Sequence, residues 1–271
     1  MEKMSIFGDS TEMSGHAINS VQDMLDYVVL ALIENLGQNN IAFKGGYVLN
    51  QLMPDISRLT HDVDFSISSA EQYEEVKRIL KDIGNYFIAN KVIANYKIKD
   101  NIEFSISGGA DFYDTQGAKI LGVDVGLHQL ISGTKWYNVK VGNLHTFSVE
   151  RMLSDKIHAI FSPKRFRRTK DLYDVYYLLE NFDVDYVMFR ESLDNRGVIE
   201  LDKNPFQESV LEQYQHAWER LQIVSIYPDV ILDKPDFRFV IERLGDFCFP
   251  IMNGFSKDYK RWNKELLKWG D

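Results

Sequence analysis

Two segments of the chain alternate strictly between apolar and other residues, and each carries aspartate on its non-apolar side. In Asp62-Val63-Asp64-Phe65-Ser66-Ile67-Ser68, Val63, Phe65 and Ile67 share one face while Asp62, Asp64, Ser66 and Ser68 share the other. Over 119–127, Leu121, Val123, Val125 and Leu127 oppose Ile120, Gly122, Asp124 and Gly126. A period of two is the period of a strand. Both segments therefore bury one face in a core and present carboxylates on the other. A sheet of this kind needs helices over its apolar face, which points to an α+β domain. Asp124 stands between two glycines on its own face, so bare backbone leaves space around it, as in a cleft.

The rest of the first half fits such a domain. Val21, Met24, Leu25, Val28, Leu32, Ile33 and Leu36 recur at helical spacing and predict a helix over 19–36, with Gly37 at its C-terminal cap. A short strand over 41–43 runs into Gly45-Gly46, and a short helix over 47–53 stops at Pro54. A charged helix follows over 69–83. Strands are predicted over 91–97 and 102–107, joined by a turn at Lys99-Asp100-Asn101. A glycine-rich loop, the strand 119–127 and a further strand over 136–141 complete this half.

From Ser148 the period changes. Val149, Met152, Leu153, Ile157, Ile160 and Phe161 follow a good N-cap at helical spacing. More helices are predicted over 171–180, 205–222 and 236–247. The chain accordingly divides into an α+β domain over 1–147 and a helical bundle over 148–271.

Composition excludes several classes. Cys248 is the single cysteine, so neither an intrachain disulfide nor a thiolate zinc site can form, as suits the reducing cytoplasm. The longest apolar run, 27–33, is seven residues and far short of a membrane span. A net charge of −9 argues against a general nucleic-acid binder. The exception is Lys164, Arg165, Arg167, Arg168 and Lys170, a basic run that suits either a solvated loop or a contact with phosphates.

The acids suggest metal chemistry. Asp62 and Asp64 side by side repel unless a cation lies between them. Mg²⁺ binds through one or two carboxylates together with substrate phosphates. A lone D-x-D is common on solvated strands, and a lone Gly-Gly is usually a turn. Strand, Gly-Gly, helix, D-x-D strand and a later strand bearing Asp124 form a far more specific series. Backbone N–H groups at Gly45 and Gly46 can approach a phosphate closely.

The order of these motifs resembles the AbiEii/AbiGii toxin family of nucleotidyltransferases. The resemblance rests on Phe43-Lys44-Gly45-Gly46-Tyr47-Val48-Leu49 and Arg58-Leu59-Thr60-His61-Asp62-Val63-Asp64-Phe65. It continues through the stretch from Ser148 to Ala159, which holds Lys156, and through Arg168-Thr169-Lys170-Asp171-Leu172-Tyr173-Asp174. It covers roughly 41–180, and 181–271 carries no matching motif. The resemblance implies a polymerase-beta-like mixed sheet with helices, followed by a helical bundle. It implies a metal-dependent enzyme that moves a nucleotidyl group from an NTP to RNA, in some members the tRNA 3′ end. Such an enzyme acts as the toxin of a toxin–antitoxin or phage-defence module with a cognate antitoxin. By motif, Asp62, Asp64 and Asp124 would hold Mg²⁺ or Mn²⁺, and Lys156 and Asp171 would complete the catalytic set. Lys44, Gly45, Gly46, Arg58, Thr60, Lys156 and Asp174 would contact the nucleotide. Tyr47 departs from the small residue common at its position.

Two other functions stay open on the residues alone. A sugar-nucleotide transferase also uses D-x-D to hold a metal and a diphosphate. A catalytically silent nucleotide-binding protein would keep the fold without the reaction.

Overall fold

The structure, a computed structural model, describes residues 18–54, 60–99, 107–127, 133–161, 169–195, 206–220, 235–252 and 259–270. Arg58, the turn at residues 100 and 101, and four of the five basic-run residues (Lys164, Arg165, Arg167 and Arg168) lie outside them. The chain divides into two units, with the sequence passing from one to the other at Thr146 and Phe147.

The first unit opens with α1 (Val21–Leu36), where the Ser20 hydroxyl accepts from the Asp23 N–H at 3.1 Å. Next come β1 (Ile41–Lys44), α2 (Gly45–Leu52), β2 (Asp62–Ile67) and α3 (Ala70–Ala89). Strands β3 (Asn95–Lys99), β4 (Ser107–Tyr113), β5 (Lys119–Leu127), β6 (Thr134–Val139) and β7 (Gly142–Phe147) follow. Among the described residues they form one mixed sheet of seven strands in the order β3-β4-β5-β2-β1-β7-β6. β2 runs parallel to β5, whereas β1–β2, β3–β4 and β4–β5 are antiparallel.

Burial follows the alternation seen in the sequence, although Ser66, on the face of the aspartates, is fully buried. Val63, Phe65, Leu121 and Val123 are fully buried, while Asp62, Asp64 and Asp124 keep partial exposure. Helices α1 and α3 cover the apolar face, with Leu25, Val28, Leu32, Val76, Leu80 and Phe87 inside. Burying each such side chain contributes about 1.5–3 kcal/mol. A slip of one residue would exchange this face for the aspartates, so the register of β2 and β5 is strongly determined.

Four elements differ from expectation, the first being β3, which runs Asn95–Lys99 rather than over 91–97 and so takes Lys99 into the strand instead of the turn. The glycine-rich loop is strand: Gly108 and Gly109 belong to β4. A side chain at Gly108 would collide with the Tyr73 ring. The Tyr73 hydroxyl accepts from the Gly109 N–H at 3.0 Å and donates to the Lys99 carbonyl at 2.6 Å. One tyrosine from α3 thus ties β3 to β4. Helix α2 starts at Gly45 itself, and β7 follows β6 after a tight turn.

The second unit comprises α4 (Val149–Ile160), α5 (Thr169–Asn181), β8 (Val184–Asp185), α6 (Tyr186–Asp194), α7 (Glu208–Arg220), α8 (Phe237–Met252), β9 (Arg261–Asn263) and β10 (Lys268–Gly270). Ser148 caps α4 as its position predicts, accepting from the Arg151 N–H at 3.2 Å. The helices are joined by a small sheet, β10-β9-β8, that the helical periodicity gave no sign of. It brings Trp262 and Trp269 against Phe247 of α8, with ring centroids 5.2 and 4.8 Å away. The indoles donate to the Leu179 and Phe247 carbonyls, both at 3.0 Å. Tyr173 of α5 stacks on Trp218 of α7 at 4.1 Å. Residues beyond 181 therefore supply much of this unit's aromatic core. No helix among the described residues is long and apolar enough to cross a membrane.

Candidate active site

Strand pairing assembles a charged face in the first unit. Asp64 pairs with Asp124 directly across the parallel β2–β5 ladder, at a spacing between strands of about 4.8 Å. On the other side of β2, Asp64 pairs with Lys44 of β1; beyond β5, Asp124 pairs with Gly109 of β4, which pairs with Lys99 of β3. The neighbouring row, two residues along, reads Asp62, Gly122, Asp111 and Lys97. Paired residues point the same way, so the acids of both rows share one face.

Glycine makes room for them. Gly45, with φ +72°, turns the chain from β1 into α2, and a Cβ there would collide with the Asp64 carboxylate. The N-terminus of α2, whose first N–H groups have no partner within the helix, therefore opens beside Asp64. A Cβ on Gly122 would collide with the Asp62 carboxylate and the Lys119 ammonium. Thr60 spends its hydroxyl on the backbone of Asp62, at 3.3 and 3.4 Å, and so steadies the start of β2.

Three ionic residues of this face were not foreseen. Lys99 Nζ donates to Asp124 Oδ1 at 2.6 Å and lies 3.2 Å from Asp111 Oδ1. Lys119 Nζ lies 2.9 Å from the same Asp111 oxygen and 3.1 Å from Asp62 Oδ1. Charges thus alternate along Asp124, Lys99, Asp111, Lys119 and Asp62. Burial works to raise the Asp111 carboxyl pKa, but the bonds from Lys119 and Lys99 outweigh it and hold the carboxyl below the usual 3.8. For Lys119, burial opposes the charge, and the bonds from Asp111 and Asp62 more than offset it, pushing the ammonium above its ordinary range. In the sequence, Lys97 and Lys99 show only as a K-x-K. Asp111 gains meaning only from the register that sets it beside Gly122.

Among the described residues no three Asp, Glu, His or Cys side chains converge as a finished metal cage. Asp62 and Asp124 each face a lysine instead. The donor chemistry nevertheless fits a hard divalent cation. Every candidate ligand is a carboxylate oxygen, and Asp64 and Asp124 face each other in register.

The second unit holds its own charged cluster. Lys156 of α4 donates to Asp171 Oδ1 at 3.1 Å and to Asp174 Oδ2, both on α5. The two acids lie three residues apart, on one helix face. All three side chains are largely withdrawn from solvent. Of the motif residues around Lys156, Glu150 accepts from the Asp185 N–H at 3.3 Å, and the Arg151 guanidinium lies 3.6 Å from the Phe147 ring centroid. His145 donates from Nδ1 to the Ile41 carbonyl at 2.8 Å.

A family model described as "Nucleotidyl transferase AbiEii toxin, Type IV TA system" matches residues 28–243. No curated protein sequence matches the chain. Among solved structures, a Helicobacter pylori protein described as a nucleotidyltransferase is 14% identical, with a TM-score of 0.54. That alignment covers 86% of this chain and 93% of the other. JHP933, also from Helicobacter pylori, is 15% identical with a TM-score of 0.51, covering 86% of this chain and 90% of its own. At these identities the likeness speaks for the fold.

Proposed function

The chain belongs to the AbiEii nucleotidyl transferase toxin family, and from that premise we propose that it transfers a nucleotidyl group from an NTP to RNA, at the tRNA 3′ end. We place the reaction in the cytoplasm, as the toxic arm of a toxin–antitoxin or phage-defence module whose antitoxin restrains it.

The observation that carries the chemistry is the pairing of Asp64 with Asp124, with Asp62 on the same face and the start of α2 alongside. Asp62, Asp64 and Asp124 would hold Mg²⁺ or Mn²⁺. With the cation bound, charge on the triphosphate is neutralised and the attacking and leaving oxygens are stabilised. The chain's own groups do the rest. Backbone N–H groups at Gly45 and Gly46 bind phosphate oxygens at the helix N-terminus. The RNA 3′-hydroxyl oxygen attacks the α-phosphorus, and the bond to the bridging oxygen breaks to release pyrophosphate. Asp124 receives the hydroxyl proton. Lys44, paired with Asp64 and one residue before the glycines, supplies positive charge at the same edge.

The test is incubation with each α-labelled NTP, Mg²⁺ and total bacterial RNA. Label in a tRNA-sized band, absent with Asp64→Asn, is the expected result. Label on a nucleotide-sugar product, or on no acceptor with any NTP, would overturn the assignment to RNA.

A further inference from the structure

We infer that Lys99 and Lys119, anchored by Asp111, are resident counter-ions of the acidic face. They neutralise Asp124 and Asp62 before a divalent cation binds, and they turn to substrate phosphate once it has. The inference rests on the metal site proposed above.

Each lysine spans two acids. Lys99 bridges Asp124 and Asp111, at 2.6 and 3.2 Å, and Lys119 bridges Asp62 and Asp111, at 3.1 and 2.9 Å. One member of each pair belongs to the proposed metal set, and the other is always Asp111. A cation that takes Asp124 Oδ1 or Asp62 Oδ1 must displace an ammonium from that oxygen. The displaced lysine does not drift into solvent, because Asp111 still holds it on the same face. Asp111 is one row removed from the Asp64–Asp124 pair, so it can act as the fixed anchor. Tyr73 fixes the end of β3 from behind through the Lys99 carbonyl, at 2.6 Å. An anionic triphosphate arriving with its cation would then meet two ammonium groups already aimed at the acids. The arrangement makes cation and phosphate binding cooperative. The cation alone competes with the lysines, whereas the phosphate offers them a new partner.

Lysine and anchor should then change metal affinity in opposite directions. Mn²⁺ binding to the full-length, nucleotide-free protein is titrated by electron paramagnetic resonance. Lys99→Met removes the competing positive charge at Asp124 and should tighten Mn²⁺ binding about 10-fold, the scale of losing one cation's repulsion at a few ångströms in a largely solvated site. Asp111→Asn removes the shared anchor and leaves both lysines wholly on Asp124 and Asp62, so it should weaken binding several-fold. Lys119→Met provides a second competitor deletion, should Lys99→Met fail to fold, and should also tighten binding. A purely structural role for the cluster would weaken binding in every variant. Unchanged or weaker binding in both lysine variants, with wild-type binding lost in Asp64→Asn, would overturn the counter-ion role alone. No Mn²⁺ binding by any form of the protein would overturn the metal site and this inference with it.

Discussion

The two charged centres of the molecule solve opposite problems. On the first sheet, Asp62 and Asp124 are 41% and 45% exposed, and each shares its lysine with Asp111. In the second unit, Asp171 and Asp174 are 7% and 0% exposed and share Lys156, itself at 11%. Water can solvate the first set when a partner leaves. Water cannot reach the second set in the same way, and a buried charge that loses an ion pair recovers little solvation. Acids that can exchange partners suit a ligand, and acids that cannot suit the interior of a fold. The resemblance places catalytic roles in both centres; their burial predicts that they fail in different ways when cut.

Lys156→Ala should be the most damaging change to the fold. It takes the Lys156 ammonium away from two buried carboxylates on α5, at a cost of about 3–5 kcal/mol. Urea unfolding should show this, with partial recovery in the Lys156→Met/Asp174→Asn double variant. If Lys156→Ala keeps wild-type stability and loses only activity, the second centre is catalytic in the same sense as the first.

Asp64→Asn should behave in the reverse way. Transfer should fall by roughly 10²–10³-fold, the scale of losing one fixed transition-state contact. The metal-free protein should keep its stability to within about 1 kcal/mol, because Asp64 is partly exposed rather than locked in the interior. A thermal melt alongside the label-transfer assay separates the two effects, and a collapsed melt would make Asp64 a structural acid.

Much of this contrast was legible in the sequence. The period-two segments set Asp62, Asp64 and Asp124 on the faces they occupy, and Ser148 caps the helix its position announces. Register was not legible, because it is a property of pairs of strands. Nothing local says that Asp111 lies beside Gly122 or that Lys99 reaches Asp124. The period of β4 was hidden as well, since Gly108 and Gly109 bear no side chains to alternate. They are small because Tyr73 and the neighbouring backbone occupy the space. The sheet β10-β9-β8 escaped notice for another reason: its strands are two or three residues long, too short to show a period.

Gly45→Ala should have an intermediate effect. The left-handed backbone and the collision with Asp64 together cost on the order of 1–3 kcal/mol, and the displaced carboxylate should lower transfer as well. Equal stability and activity in the alanine variant would remove Gly45 from the site.

The smallest effect concerns acid stability. Asp111 has its folded pKa below the usual 3.8, so its ion pairs contribute fully above that value and are lost as pH falls through the folded pKa. The pairs are partly exposed, so the contribution is on the order of 1 kcal/mol or less. Asp111→Asn should accordingly flatten the decline in stability below about pH 4, measured by urea unfolding across pH. A decline identical to wild type would mean that Asp111 carries no depressed pKa.

The most direct measurement is anomalous diffraction from crystals soaked with Mn²⁺ and a non-hydrolysable NTP. A peak bonded to the carboxylates of Asp64 and Asp124, with triphosphate density at Gly45 and Gly46, is the predicted result. A peak among Lys156, Asp171 and Asp174 instead, or nucleotide density with no metal at Asp64, would contradict it.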